Sequence, residues 1–242
     1  MARRRTRRSR GLLRRLSLSL LAGLALLCTA SVAPVVALRW VDPPTSSVIV
    51  QHRLLAWWRG EPRPFVHHEW VPWAQIPKGM ALAVVAAEDQ RFPDHAGFDF
   101  VQMRRAWEDY QAGGRLRGAS TLSQQVAKNL FLWHGRSGVR KGLEAWFTLL
   151  LEGLLTKTRI LEIYLNIAQF GPDTYGVGAA SRRFFSRPVA TLTTREAAQL
   201  AAVLPNPERY SVNRPSPHVQ RRVAWILAQM ERLGGVRYLE RL

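Results

Sequence analysis

Four carboxylates and a histidine fall within the twelve residues Glu88 to Asp99, EDQRFPDHAGFD, directly behind the apolar run MALAVVAA. A helix over that run has no wet face, so a carboxylate emerging at its end has protein on most sides. Burial disfavours the charged form, raises the pKa and suits the group to accept a proton near neutral pH. Glu88 is the acid so placed. Asp89, Asp94 and Asp99 read as the ties of a turn, held by backbone hydrogen bonds and by ion pairs with Arg91 and Arg104. The spacing of the four acids does not match a calcium loop, and a single His gives no zinc triad.

A second group lies in RGASTLSQQVAKNLF, residues 117–131. Thr121 followed three residues later by Gln124 is a capping-box pattern, which starts a helix whose free N–H groups can face an anion. With Leu122, Val126 and Leu130 turned inward, Gln125 and Lys128 share another face one turn apart. The third group is RSGVRKGLE, residues 136–144, where Arg140 and Lys141 lie four and three residues before Glu144. A lone surface cluster of this kind is worth little. Lys128, Arg136, Arg140 and Lys141 nevertheless put four cations and an acid within seventeen residues, a pattern suited to cradling a diphosphate.

The elements that must hold these groups are helical. From Met80 onward apolar residues recur at three- and four-residue spacing, as in Leu122, Val126, Leu130 and again in Leu143, Phe147, Leu150, Leu154. Breaks come at Gly113-Gly114, Gly171-Pro172 and Pro205-Asn206-Pro207. The stretch Phe92 to Gly118 has the texture of a loose gate beside the cleft. The expected fold class is mainly α.

Ahead of this domain, residues 16–38 contain no charged side chain, long enough as a helix to cross a bilayer. Residues 1–15 carry eight Arg and no acid, which predicts a cytoplasmic amino terminus and an external domain. An uncleaved anchor is favoured over a cleaved signal peptide because the apolar stretch runs on past Cys28-Thr29-Ala30. Residues 39–71 form a Trp- and Pro-rich juxtamembrane segment, and residues 72–242 the helical domain. Removing the eight tail arginines from a net charge of +18 leaves +10, a basic body suited to anionic ligands. Nucleic acid is a poor candidate, since the Arg tail reads as a topology signal. The single cysteine, Cys28, excludes an intramolecular disulfide.

The blocks EDQRFPDHAGFD, GASTLSQQVAKN, RKGLE, KTRILEIYLNIAQFG and GVGAASRRFF, in that order from about Pro72 to about Pro217, resemble those of the peptidoglycan glycosyltransferases of family 51. No S-x-x-K or K-T-G stands in the 242 residues, so the resemblance is to the monofunctional members. It implies a lysozyme-like fold behind a single transmembrane helix in the inner membrane. The implied activity is polymerisation of lipid II by inverting transfer, with release of undecaprenyl diphosphate. By motif position Glu88 would be the general base and Glu144 the second glutamate. Lys128 and Arg136 would bind the donor diphosphate, with Arg140 and Lys141 close by. Ser120, Thr121, Gln124 and Gln125 would line the cleft, and Asp89, Phe92, His95, Gly97 and Asn129 would support it. No cofactor is obligatory in this reading, though Mg2+ or Mn2+ could sit at the diphosphate. Partners would be lipid II, the growing glycan chain, the membrane and cell-wall synthesis or division proteins. The sequence departs from the pattern at Ala119, and at Gln169 and Gly178, where relatives often carry Glu. A tethered non-catalytic wall-binding protein and a lytic muramidase-like enzyme are the competing readings. The first needs no base, and the second needs no diphosphate cradle.

Overall fold

The apolar run behind Glu88 folds as expected into a helix sheathed on all sides. In the computed structural model, which describes residues 2–60, 65–114, 118, 120–135 and 137–242, with side chains from Ser17 onward except Leu20 and Leu24, Met80 to Ala86 are all buried. The chain divides into two compact units, Met1–Val41 and Asp42–Leu242. The first is built on helix α1 (Ala2–Ala37), whose segment Ser17–Ala37 is long and apolar enough to cross a membrane.

The second unit holds nine further α-helices among the described residues: α2 (Ser47–Trp58), α3 (Lys78–Glu88), α4 (Phe100–Gln111), α5 (Leu122–Phe131), α6 (Gly138–Leu154), α7 (Lys157–Ile167), α8 (Val177–Phe185), α9 (Thr194–Val203) and α10 (Pro217–Arg232). A small sheet of β1 (His67–His68), β2 (Gln169–Gly171) and β3 (Thr174–Tyr175) has the order β1-β3-β2. In it β1 runs parallel to β3, with His67 beside Thr174, while β2 is antiparallel and irregular between Gln169 and Gly171. The central helix α3 packs against α9 and α10, and α5 packs against α6 and α7. Alanine lets α3 and α9 approach closely, through Ala81, Ala83 and Ala86 on one and Ala197, Ala198, Ala201 and Ala202 on the other, all buried.

Three expectations change. Phe92 to Gly118 is not one loose stretch: Phe92–Asp94 form a 3-10 turn and Phe100–Gln111 form α4, capped by the Asp99 side chain on Gln102 N–H. Residues 115–117 lie outside the described residues. Arg104 makes no tie to the turn's acids; it pairs with Glu108 one helical turn on, at 2.8 Å. Arg91 does hold the turn as expected, 2.9 Å from Asp99, and Arg241 takes the second place, at Asp94. Thirdly, α6 does not bury Leu143, Phe147, Leu150 and Leu154. Its buried face carries Glu144, Thr148 and Leu151, while Leu143 is exposed and Phe147 is half-buried, stacked on Phe131. The apolar stripe misleads because the face turned inward is the one that delivers a carboxylate.

Candidate active site

Glu88 is the last residue of α3, and its side chain is 14% exposed. Both its oxygens are held. Gln125 Nε2 donates to Oε2 at 3.1 Å, and Arg222 Nη2, from α10, donates to Oε1 at 3.1 Å. Tyr164 OH donates to Gln125 Oε1 at 3.2 Å, which orients the amide so that its NH2 faces Glu88. Burial pushes the Glu88 carboxyl above the ordinary carboxylate range; the Gln125 hydrogen bond and the charges of Arg222 and Lys128 oppose the rise, and Asp89 adds to it. Burial also pushes Tyr164 well above the usual phenol range, so it stays a donor.

The next residue, Asp89, is the joint between the end of α3 and the start of α5. His95 Nε2 lies 3.0 and 3.1 Å from its two oxygens, and Leu122 N–H donates to Oδ2 at 3.0 Å. The capping box forms as its residues predict: Thr121 N–H donates to Gln124 Oε1 at 2.9 Å, and Gln124 N–H to Thr121 Oγ1 at 3.3 Å. Thr121 Oγ1 in turn donates to Gly97 O at 2.6 Å. Phe92 is fully buried beneath Lys157 Nζ, which stands 4.4 Å from the ring centre and donates to His95 O at 2.5 Å. So Asp89, Phe92, His95 and Gly97 set where α5 begins relative to Glu88.

The cations gather one helical turn along α5 and at the start of α6. Arg140 Nη1 meets Glu144 Oε2 at 2.8 Å, and Lys141 Nζ meets the other oxygen. Glu144 is buried between them. Burial pushes Lys128 below the usual ammonium range; Glu144 and Glu88 pull it up, Arg140 and Lys141 push it further down. Arg140 Nε is buried without a hydrogen-bond partner among the described residues, a donor aimed at no protein acceptor.

Two cavities flank this arrangement. One of about 490 Å3 is lined by Gln125, Lys128, Asn129, Arg140, Tyr164 and Gln169 among others. The other, about 540 Å3, is lined by Glu88, Asp89, Gln102, Arg105, Ser120 and Thr121 among others. The Glu88–Gln125 hydrogen bond joins the wall of one to the wall of the other. The geometry can deprotonate a hydroxyl held in the second cavity and receive an anion in the first.

Of the residues expected to line a cleft, Ser120, Thr121 and Gln125 do so, whereas Gln124 is turned into its capping box and reaches neither cavity. Arg136 and Ala119 lie outside the described residues. At Gly178 a Cβ would stand 2.6 Å from Val71 Cγ2 and 3.0 Å from Glu69 O, so this backbone has no room for a side chain such as glutamate. Sequence reasoning missed Arg222 and Tyr164. Arg222 is one of thirty-five basic residues, and Tyr164, within IYLNI, carries the pattern of a core residue. Among the described residues no three His, Cys, Asp or Glu side chains converge as a metal site. Both oxygens of Glu144 are engaged by cations, so it does not offer the free oxygen donors that Mg2+ or Mn2+ takes.

A family model described as Transglycosylase matches residues 60–231. The chain is 54% identical over 221 residues, 91% of its length and 89% of the relative's, to a biosynthetic peptidoglycan transglycosylase of Xanthomonas campestris pv. campestris. It is 52% identical over 213 residues (88% and 91%) to one of Pseudomonas aeruginosa, and 49% identical over 233 residues (96% and 94%) to one of Stutzerimonas stutzeri. With its mainly helical, lysozyme-like domain and several motif blocks in family order, the chain belongs to the transglycosylase family.

Proposed function

We propose that this protein is a peptidoglycan glycosyltransferase that polymerises lipid II into glycan strands, with Glu88 as general base. The acceptor sugar sits in the cavity lined by Ser120 and Thr121, its 4-hydroxyl toward Glu88. The carboxylate takes the hydroxyl proton as the oxygen attacks C1 of the donor sugar from the face opposite the diphosphate. The C1–O bond to the diphosphate breaks with inversion, and undecaprenyl diphosphate leaves carrying the bonding electron pair. Lys128 and Arg140 receive that charge in the other cavity, where low dielectric and fixed donors make such contacts count. Glu144 keeps Arg140 and Lys141 in place. A divalent ion bound to the diphosphate would add to the charge that Lys128 and Arg140 supply in that cavity.

The observation that carries this reading is the position of Glu88: a largely buried carboxylate, its pKa raised by that burial, in the wall between a polar cavity of about 540 Å3 and a cationic one. The apolar span Ser17–Ala37 and the arginine tail support an inner-membrane anchor, with the amino terminus in the cytoplasm and the catalytic unit outside. Incubation of the full chain with lipid II tests the activity. Wild type is expected to yield polymer and undecaprenyl diphosphate, and Glu88→Gln to lower the rate by about 10²- to 10⁴-fold, as loss of a general base does. Equal polymer from the variant sinks the assignment of the base; shortening of preformed glycan without polymer sinks the transferase.

A further inference from the structure

Helix α2 lies upstream of the residues that the family model matches, 60–231, yet it forms part of the wall of the cationic cavity through Val48. Two of its polar side chains, Ser47 and Gln51, are turned onto the end of α5. The last carbonyls of a helix have no partner within it, and at α5 they are met from α2: Ser47 Oγ donates to Asn129 O at 3.1 Å and also to Leu132 O. Gln51 spans the residues beyond. Its Nε2 donates to Leu132 O at 3.0 Å, and its Oε1 accepts from His134 N–H at 2.8 Å. His134 Nδ1 lies 3.1 Å from the same oxygen, which selects the tautomer protonated there. One amide therefore holds both sides of a short link whose residues Leu132, Trp133, His134 and Gly135 line the cavity. That link joins the helix bearing Lys128 to the helix bearing Arg140, and its other end is tied by the Ser137 cap of Arg140 N–H.

We propose that α2 is a positioning element of the donor-diphosphate site and that Gln51 is its positioning residue, setting the spacing of Lys128 and Arg140 by clamping Leu132 and His134. The inference rests on the reading of that cavity as the diphosphate site. A displaced link leaves the base Glu88 and its holders Gln125, Tyr164 and Arg222 untouched, because none of them lies on it. Loss of the clamp therefore weakens the grip of Lys128 and Arg140 on the diphosphate, in the bound donor and in the leaving group alike, and spares the titration of Glu88.

The test uses the full chain in detergent micelles with lipid II as the probe, comparing wild type, Gln51→Ala, Gln51→Met and Lys128→Ala. Met keeps the volume and loses the hydrogen bonds to Leu132 O, His134 N–H and His134 Nδ1. Gln51→Ala and Gln51→Met are expected to lower kcat/KM alike, by about three- to tenfold as the loss of one or two net hydrogen bonds does, with the acid limb of the pH–kcat/KM profile, set by Glu88, unmoved. The His134 amide should exchange faster in both. A wild-type kcat/KM in both variants, or a fall in Gln51→Ala alone, overturns the inference, the latter because packing then accounts for the effect. Lys128→Ala separates the two readings. If it lowers kcat/KM while the Gln51 variants do not, only the role of α2 falls; if it leaves kcat/KM unchanged, the diphosphate reading falls and takes the role of α2 with it.

Discussion

At the scale of single residues, the site sets the protonation of one carboxylate by opposing terms. Burial raises Glu88, while Arg222 and Lys128 hold it down. The activity should follow a bell in pH. Its acid limb lies above the titration of a free glutamate and its alkaline limb below that of a free lysine, because Glu88 must be ionised and Lys128, lowered by burial, must be protonated. Removing the Arg222 charge in Arg222→Met takes away a cation favouring the ionised base, so the acid limb moves to higher pH and Arg222→Lys moves it back. A pH–kcat/KM profile reads this, and an unmoved limb in Arg222→Met refutes it. The same raised pKa predicts a stability trend. Glu88 contributes stability that is full below its unfolded pKa and is lost as pH rises through its folded one. Glu88→Gln should therefore gain thermal stability relative to wild type as pH climbs from acid to neutral. A constant gap in Tm across that range contradicts the prediction.

At the scale of elements, the decisive joint is where α3 ends and α5 begins. Gly97 occupies a left-handed conformation, φ 87°, with Thr148 Cγ2 2.6 Å and Glu152 Cγ 3.0 Å from where a Cβ would stand. Its carbonyl receives the Thr121 hydroxyl. Thr148 is buried and β-branched on α6, so it has little freedom to withdraw. Gly97→Ala should cost about 2–4 kcal/mol of stability through backbone strain and overpacking, and it should lower kcat as α5 shifts against Glu88. Thermal unfolding and lipid II turnover together check this; a variant with wild-type Tm and rate would remove Gly97 from the joint. Within α6, the inward polar face and the outward leucines show the same priority, packing yielding to delivery of Glu144.

At the scale of the whole molecule, the charge of +18 divides between an arginine tail and a basic catalytic unit, joined through a helix with an apolar span, Ser17–Ala37. In the proposed topology the tail sets orientation, while the unit's excess suits the anionic substrate of the proposed reaction, so the two excesses serve different ends. A reporter fused after Leu242 should be active only outside the cytoplasm. Cytoplasmic activity would reverse the proposed topology, and replacing the arginines at 3, 4, 5, 7, 8 and 10 should weaken the bias of wild type.

What the amino-acid sequence determined by itself is what depends on near neighbours in the chain. The burial of Glu88 follows from the apolar run before it, the start of α5 from Thr121 and Gln124, the apolar span from twenty-three uncharged residues, and the family from motif blocks in order. Tertiary structure alone decided which distant groups meet. Arg222 reaches Glu88 across 134 residues and Gln51 reaches Leu132 across 81. Arg104 turned to Glu108 and away from the acids of the turn, and α6 buried Glu144, Thr148 and Leu151 while leaving Leu143 exposed. Local pattern specifies a helix and its ends, because caps and periodicity act over a few residues. The choice of partner among many like charges depends on how finished helices pack, and spacing along the chain does not encode it.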